Sequence, residues 1–409
     1  MDYYQKDKQY FKFCLYGFLK NLRFYDAFLL LFFLDYEISY AQIGILYALK
    51  EMIINVAEVP SGLLADTFGR KRALVFSFVT YIMAFVIFYF ANHFIFFLSA
   101  MIMLGVADAF RSGTHKGMIM DYLKLNNWSV YKIDYYGNTR SWSQKGSAVS
   151  ALIAGFLVFF TGEYKIVFLF AVVPYLINFF NVYSYPTQLD YSLMKKSNRI
   201  NLRTTLSYFL KAIKDRQVLG VMNSAAVHSA YLAAIKDYIQ VFLLALALLI
   251  PFEFNVAENQ KSGLVIGLCY FIIFLLTSWA SKSASKLSGS GIRSIPIKTL
   301  AVGLTLGIFA GVFAFVNLTF LAVIFFILIF LVENMRKPIL TGLLADNVSN
   351  EILTSVYSAQ SFYKTILTAL IALSVGFLAD QYGIALSLTV VSSVLLIFVL
   401  LINRDWSTH

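Results

Sequence analysis

The sequence predicts an all-α membrane protein with twelve transmembrane helices arranged as two six-helix bundles. Of its 409 residues, 59% are hydrophobic and only 13% are charged, whereas a soluble domain carries about a quarter of its residues as Asp, Glu, Lys and Arg. The apolar residues form continuous blocks, such as residues 73–90 and 319–332. These blocks lack the alternation of apolar and polar residues that is typical of strands in transmembrane β-barrels. Because one helical span takes about 20 residues, a chain of this length holds about twelve spans.

The order of apolar and polar stretches predicts the domain organisation. We predict spans at residues 12–34, 41–65, 71–91, 94–122, 137–161, 165–185, 217–249, 261–280, 296–316, 318–345, 353–379 and 384–403. The longest polar stretch lies near the middle of the chain and is rich in Lys and Arg. It predicts an N-terminal bundle of residues 1–188, a cytoplasmic connector of residues 189–216 and a C-terminal bundle of residues 217–409.

The basic residues are concentrated in alternate connections between the predicted spans. Those connections contain Arg70, Lys71, Arg72, Lys124, Lys132, Lys195, Lys196, Arg199, Arg203, Lys211, Lys214, Arg216, Lys282, Lys286 and Arg293. The other connections hold mainly acidic residues, with Lys165 and Lys261 as exceptions. Cytoplasmic loops of membrane proteins carry an excess of Lys and Arg. We therefore predict a multi-pass protein of a bacterial inner membrane with both termini in the cytoplasm. On this reading the net charge of +11 reflects topology and contact with membrane lipids, not nucleic-acid binding.

Several classes of function lack support in the sequence. Both cysteines, Cys14 and Cys269, lie in apolar stretches, which argues against a disulfide framework and a cysteine metal site. The chain has no His-Glu-x-x-His motif, nucleophile elbow or phosphate-binding loop. We therefore expect neither an enzyme nor a metal or cofactor.

One cytoplasmic connection carries a specific motif. The residues after the second predicted span are Gly62-Leu63-Leu64-Ala65-Asp66-Thr67-Phe68-Gly69-Arg70-Lys71-Arg72. They resemble the signature loop of the major facilitator superfamily, with Thr67 where the family usually has a basic residue. The resemblance implies two six-helix bundles that alternate access to a central cavity. It also implies a latch on the cytoplasmic face formed by Gly62, Asp66, Gly69, Arg70 and Lys71.

Other segments resemble the same family more weakly. Arg111 resembles an arginine of the family's fourth helix that is linked to proton coupling, and residues 111–116 resemble a poorly characterised bacterial branch. Residues 376–383 resemble a pattern at the outer end of helix 11. The fifth predicted span lacks the Gly-Pro of the family's antiporter motif.

Acidic residues within the predicted spans are candidates for proton coupling. Glu51 and Glu58 share one face of the second span, and Asp108 lies in the fourth. Charges inside a membrane usually face the interior and mark pathways. A proton-carrying role for these acids competes with purely structural pairing to bases such as Lys50 and Lys145.

Polar residues at helical spacing are candidates for contact with a solute. The set comprises Arg23, Asp26, Arg111, His115, Lys145, Arg336, Gln360 and Lys364. Arg23 and Asp26 are spaced to pair on one helix face. Asp108, Arg111 and His115 form a stripe, and Gln360 and Lys364 form another. In the tenth span, pairing of Glu333 with Lys337 would leave Arg336 free to face a cavity.

The balance of these charges predicts the class of solute. Bases exceed acids within the predicted spans of both halves, which suits an anionic or zwitterionic organic solute. We expect a monomeric secondary active transporter that moves such a solute with protons by alternating access. Two alternatives remain open from the sequence. One is a proton-driven exporter of drugs or other lipophilic compounds. The other is a lipid flippase or a sensor that does not transport.

Overall fold

A computed structural model describes residues 4–112, 114–190, 216–251, 257–283, 295–347 and 350–402, and these ranges contain helices but no strands. The helices before the predicted connector are α1 Lys8–Lys20, α2 Leu29–Asp35, α3 Tyr40–Phe68, α4 Arg70–Phe90, α5 Phe94–Arg111, α6 Thr114–Leu125, α7 Lys132–Thr161 and α8 Ile166–Tyr183. Those after it are α9 Arg216–Ile235, α10 Ile239–Leu249, α11 Glu258–Ser283, α12 Ile295–Phe315, α13 Thr319–Asn347, α14 Asn350–Tyr382 and α15 Ile384–Ile402.

Ten helical segments in the described residues are long and apolar enough to cross a membrane. They correspond to the third through twelfth predicted spans. The first predicted span is divided between α1 and α2. The second, α3, contains Lys50, Glu51 and Glu58 within its length, and these charges lower its mean hydropathy. The first span therefore differs from the rest by its break, and the second by its charged residues.

Three predicted spans are interrupted beside charged residues. A 3-10 turn at Phe24–Ala27 separates α1 from α2, and another at Lys236–Tyr238 separates α9 from α10. The fourth span breaks after Arg111, where α5 ends. Irregular backbone at membrane depth is tolerated only where it is buried in protein or lines a polar cavity. The breaks therefore indicate where polar sites lie.

The chain forms two compact units. Unit 1 consists of Met1–Phe32, Leu49–Arg199 and Phe254–Phe271, and unit 2 consists of Phe33–Ala48, Ile200–Glu253 and Ile272–His409. Each unit is built mainly from one half of the sequence. The boundaries of the two bundles, at residues 188 and 217, stay a prediction. Residues 191–215 of the predicted connector lie outside the described residues.

Unit 1 is held together by aromatic packing and close helix contacts. In it α4 packs on α5 and α8, and α1 packs on α7 and α8. The ring of Phe168 stacks on Phe88 at a centroid distance of 4.6 Å and meets the edge of Phe32 at 4.7 Å. Where α7 meets α11, a Cβ on Gly155 would lie 2.8 Å from the carbonyl oxygen of Gly263. Glycine thus permits the close approach.

Unit 2 has its own core and includes the first turns of α3. In it α12 packs on α13 and α15, and α9 packs on α14. The hydroxyls of Tyr231 and Ser392 hydrogen bond at 2.6 Å. The start of α3 lies against α14, and a Cβ on Gly44 would come within 2.6 Å of the carbonyl oxygen of Ala372.

The distribution of polarity is that of a membrane protein. Large apolar side chains on the outside of the helices are well exposed, including Phe90 and Phe160 at 74% and 75%. Polar side chains such as His228 and Gln240 are fully buried. Soluble monomers rarely expose contiguous apolar surface of this extent. Lipid is therefore the solvent that this surface requires.

Candidate functional site

The break in the first span places Arg23 beside the fourth span in unit 1. Asp108 of α5, whose side chain is 10% exposed, accepts hydrogen bonds from Arg23 at 2.9 Å and from Arg111 at 2.6 Å. The ammonium of Lys50 lies 3.7 Å from the other carboxylate oxygen. The hydroxyl of Tyr81 also donates to Asp108 and accepts from Nε of Arg111 at 2.8 Å. We call these five residues the Asp108 cluster.

The Asp108 cluster has more positive than negative charge. Three cations, Arg23, Lys50 and Arg111, share one carboxylate, and their side chains are 19–20% exposed. Nε of Arg23 is buried and makes no hydrogen bond to any described residue. Burying a charge is costly unless it is paired. The partly exposed excess of cations can therefore attract an anion.

The structure differs in two ways from what the sequence predicts for this region. The pairing expected for Arg23 and Asp26 assumed a continuous helix, but α1 ends at Lys20, and Arg23 contacts Asp108. The expected stripe of Asp108, Arg111 and His115 also fails, because the helix breaks between Arg111 and His115.

His115 lies in an aromatic pocket instead of the Asp108 cluster. Its ring stacks on Tyr16 at a centroid distance of 3.5 Å and an interplanar angle of 6°. Phe13 meets the same ring edge-on, and the Tyr185 hydroxyl lies 3.3 Å from its Nε2. This packing favours a structural role, and the predicted contact of His115 with a solute stays a prediction.

The two predicted proton carriers of α3 are accessible rather than buried. Glu51 is half-buried, and Glu58 is exposed, with its Oε1 accepting from Ser112 at 3.3 Å. Lys145 is exposed as well, and its ammonium lies 4.6 Å from the ring centroid of Trp142. The proton-carrier hypothesis for Glu51 and Glu58 assumed a buried acid close to another acid, and neither side chain is buried.

Unit 2 contains a second polar site, a cavity of about 430 Å³ beside the break between α9 and α10. The described residues that line the cavity are Ala225, Ser229, Leu232, Ala233, Lys236, Glu333, Asn334, Lys337, Leu340, Gln360, Ser361 and Lys364. Three lysines and a single carboxylate are among these described residues of the unit 2 cavity. The sequence-predicted residues Gln360 and Lys364 are both in its wall.

The carboxylate of the unit 2 cavity is held by α9. Glu333 has a side chain that is 10% exposed, and its Oε2 lies 2.8 Å from Nδ1 of the buried His228. The hydroxyl of Ser229 donates to the other oxygen of Glu333. The sequence did not predict this arrangement, because His228 and Glu333 are 105 positions apart. Helical spacing within the tenth span instead predicts an intrahelical pair of Glu333 with Lys337.

The prediction that Arg336 is free to face a cavity is wrong. Arg336 is 2% exposed. Its guanidinium donates to the carbonyl oxygen of Pro296 at 2.7 Å, to the Thr299 hydroxyl at 2.6 Å and to the carbonyl oxygen of Ser224. These contacts tie α13 to α12 and α9. Both terminal nitrogens of this guanidinium already donate to protein acceptors, and the side chain is almost fully buried. Arg336 is therefore a structural element rather than a solute ligand.

The motif loop lies between α3 and α4 and is anchored within unit 1. Gly69 has φ of 110°, a conformation that favours glycine, and a Cβ there would clash with the Asp190 carboxylate. The backbone carbonyl oxygen of Asp190 accepts from the backbone nitrogen of Arg70 at 2.7 Å, and its carboxylate accepts from the backbone nitrogen of Lys71 at 2.9 Å. Gly62 has open space around it, and the side chain of Asp66 lies outside the described residues.

The basic residues of the motif reach the ends of α6 and α8. Arg70 pairs with Asp121 at 2.7 Å, and the ammonium of Lys71 donates to the carbonyl oxygen of Tyr185 at 3.1 Å. Neither Asp121 nor Asp190 is predicted as a partner by the sequence. Both are acidic residues near predicted cytoplasmic ends, which is the only signal that could have found them.

Comparison with known proteins decides the family. A model of the Major Facilitator Superfamily matches residues 22–372. The chain belongs to the major facilitator superfamily. It is therefore a multi-pass membrane transporter with twelve helices in two six-helix bundles, as the sequence predicted. No match was found among curated protein sequences.

Solved structures share the superfamily fold at low sequence identity. A mutant of the nucleoside transporter NupG has a TM-score of 0.76 and 14% identity, over 96% of this chain and 99% of that chain. A mutant of the peptide transporter POT has a TM-score of 0.74 and 10% identity, over 98% and 94%. A POT family transporter in complex with 5-aminolevulinic acid has a TM-score of 0.73 and 9% identity, over 97% and 96%. At these identities the similarities show the fold.

Proposed function

We propose that this superfamily member is a proton-coupled transporter of a small organic anion or zwitterion in a bacterial inner membrane. Its termini and its motif loop are proposed to lie in the cytoplasm, on the side where Lys and Arg accumulate. The observation that carries the proposal is the excess of cations at each polar site. Three surround one carboxylate in the Asp108 cluster, and three lysines line the unit 2 cavity with one glutamate.

The chemistry of these cations narrows the solute class. Arg23 and Arg111 each offer a planar set of donors that matches a carboxylate or phosphate. The ammonium of Lys364 has no ion-pair partner among the described residues of unit 2. A solute carrying negative charge would offset the cost of keeping such cations away from bulk water. A lipophilic cation would meet repulsion at both sites.

The structural neighbours are consistent with a polar solute. The names of those solved structures refer to nucleosides, peptides and 5-aminolevulinic acid. At 9–14% identity the neighbours do not identify the solute of this chain. They support transport of small polar organic compounds as the starting range for a search.

Uptake into proteoliposomes tests the proposal. The panel contains carboxylates, organic phosphates, zwitterionic amino acids and, as the opposing class, lipophilic cations. With an inward proton gradient we expect accumulation of at least one anion or zwitterion, abolished by a protonophore. Accumulation of lipophilic cations alone would favour the exporter alternative and reject the proposal.

A further inference from the structure

Glu333 is the single carboxylate among the described residues that line the unit 2 cavity. It is mostly buried but reaches the cavity, while its two oxygens receive hydrogen bonds from Ser229 and His228 on α9. Lys236, Lys337 and Lys364 line the same space. A change of charge on Glu333 therefore changes the electrostatic balance of the whole cavity.

The surroundings of His228 indicate that Glu333, and not the imidazole, is the group of this pair that gains and loses a proton. Nδ1 of His228 faces Glu333, whereas Nε2 is buried and has no hydrogen-bond partner among the described residues. If the ring is neutral and carries its proton on Nδ1, it donates that proton to the carboxylate, and Nε2 has no N–H group that needs an acceptor. A doubly protonated ring would bury an unsatisfied N–H, which is costly. A Cβ on Gly303 would clash with Nε2, so the backbone of Gly303 packs closely against this nitrogen. The arrangement thus favours neutral His228 beside ionised Glu333.

Protonation of Glu333 is compatible with this arrangement. A protonated carboxyl group keeps one oxygen as an acceptor, so Oε2 can still accept from Nδ1–H of His228 while the proton resides on Oε1, next to the Ser229 hydroxyl. Ser229 and His228 therefore hold the side chain in both charge states.

The other charged groups around Glu333 are mostly cationic. Described charged groups on the helices and turn packed near α13 are Lys236 and Asp237 in the turn after α9, Lys298 on α12, Arg336 and Lys337 on α13 itself, and Lys364 and, near the end of the helix, Asp380 on α14. The short helix α10 has no ionisable side chain. Asp237 lies 3.8 Å from Lys236, and Lys298 is exposed. Asp237 thus offsets part of the charge of Lys236, and Glu333 is the single carboxylate among the described residues that line the cavity itself.

We propose that Glu333, positioned by His228 and Ser229, binds the proton that accompanies the solute anion. The proposal deepens the transport function proposed above and rests on it. In the ionised state, Glu333 competes with the solute for the cavity lysines. In the protonated state that competing charge is gone, so proton and anion bind cooperatively. By thermodynamic reciprocity each strengthens the binding of the other, by about tenfold for typical coupled sites.

The acids predicted from the sequence fit this role less well. Glu58 is exposed and hydrogen bonds to Ser112, and Glu51 is half-buried with no ion pair to a described residue. Asp108 is engaged by three cations and a tyrosine hydroxyl. Release of Asp108 would disrupt its entire cluster, whereas Glu333 contacts one imidazole and one hydroxyl.

Infrared difference spectroscopy of the reconstituted protein tests proton binding without any solute. We expect a band from a protonated carboxyl group when wild-type protein is moved from mildly alkaline to mildly acidic buffer, and loss of one such component in Glu333→Gln. Glu163→Gln is the matched control, because Glu163 is an exposed acid in a connecting loop. Ser229→Ala keeps the carboxyl group but removes one hydrogen bond, so it should move the pH midpoint of the band.

Binding measurements test the coupling. Succinate and glycerol phosphate are the probes, and we expect their affinity in wild-type protein to rise about tenfold from alkaline to acidic buffer. In Glu333→Gln affinity should be high and independent of pH. A band that survives in Glu333→Gln, or an unshifted midpoint in Ser229→Ala, overturns the assignment of the proton site. Failure of every panel anion in uptake would reject the proposed function while leaving the spectroscopic result for Glu333 intact.

Discussion

Asp380 at the end of α14 caps the helix that begins at Tyr40. Its two carboxylate oxygens accept from the backbone nitrogens of Tyr40 at 2.7 Å and Ala41 at 2.9 Å. The first N–H groups of a helix have no partner within the helix, so the carboxylate satisfies two of them and complements the helix dipole. Gly376 of α14 lies directly against the carbonyl of Tyr40. The contact joins a helix of the first half of the sequence to one of the second.

The capping contact predicts a measurable loss of stability. Asp380→Ala should lower the free energy of unfolding by about 1 kcal/mol, the usual effect of removing a helix cap. Thermal melting in detergent measures the change. Gln381→Ala is the control, because Gln381 is the exposed neighbour. Equal melting temperatures for wild type and Asp380→Ala would show that the cap does not stabilise the protein.

The Asp108 cluster predicts a larger effect. Asp108→Asn should destabilise the protein by about 3–5 kcal/mol, because it leaves three buried or half-buried cations without their shared carboxylate. The yield of folded protein and its melting temperature report the loss. Glu163→Gln, the same chemical change in an exposed loop, should have little effect. A stable Asp108→Asn variant with normal melting would contradict the proposed role of the carboxylate.

The two glycines of the motif predict opposite outcomes for one substitution. Gly69→Ala should destabilise by more than about 1 kcal/mol, because φ is 110° and the new Cβ meets Asp190. Gly62→Ala should be neutral or stabilising by up to about 1 kcal/mol, because Gly62 lies within α3 with open space around it. Melting curves of both variants check the contrast. Similar losses at both positions would argue against the described loop geometry.

Arg336 and Lys364 predict a separation of stability from binding. Arg336→Lys cannot reproduce the three hydrogen bonds of the guanidinium, so we expect a lower melting temperature with the preference for anions retained. Lys364→Gln should melt like wild type but bind carboxylate probes about tenfold more weakly. Parallel melting and binding assays distinguish the two. The reverse pattern would show that Arg336, and not Lys364, contacts the solute.

The sequence predicted the fold and part of the candidate sites for identifiable reasons. Apolar blocks, alternating basic loops and the motif at residues 62–72 are local patterns, so the spans and the family could be read directly. The residues around Asp108 were also identified, because charges inside a membrane are rare. Their partners were not, since helical spacing assigned Arg23 to Asp26 although the backbone unwinds between α1 and α2.

Contacts between distant segments account for the remaining differences. Arg336 was expected in a cavity because a pairing of Glu333 with Lys337 would leave it free, but it donates to carbonyl oxygens of other helices. Glu333 was assigned to Lys337 by helical spacing, whereas His228 and Ser229 hold it in the structure. Backbone acceptors and residues on neighbouring helices carry no signal in a single sequence. Placing them requires the packed helices.

The central claim is that basic sites in this transporter select negatively charged solutes. The most direct test compares the affinities of two probes that differ in charge, succinate and its neutral diamide. The account predicts that succinate or another acid of the panel binds wild-type protein more tightly than its neutral amide, and that Lys364→Gln reduces this preference. Equal binding of every acid and its amide, or a preference for lipophilic cations, would contradict the account.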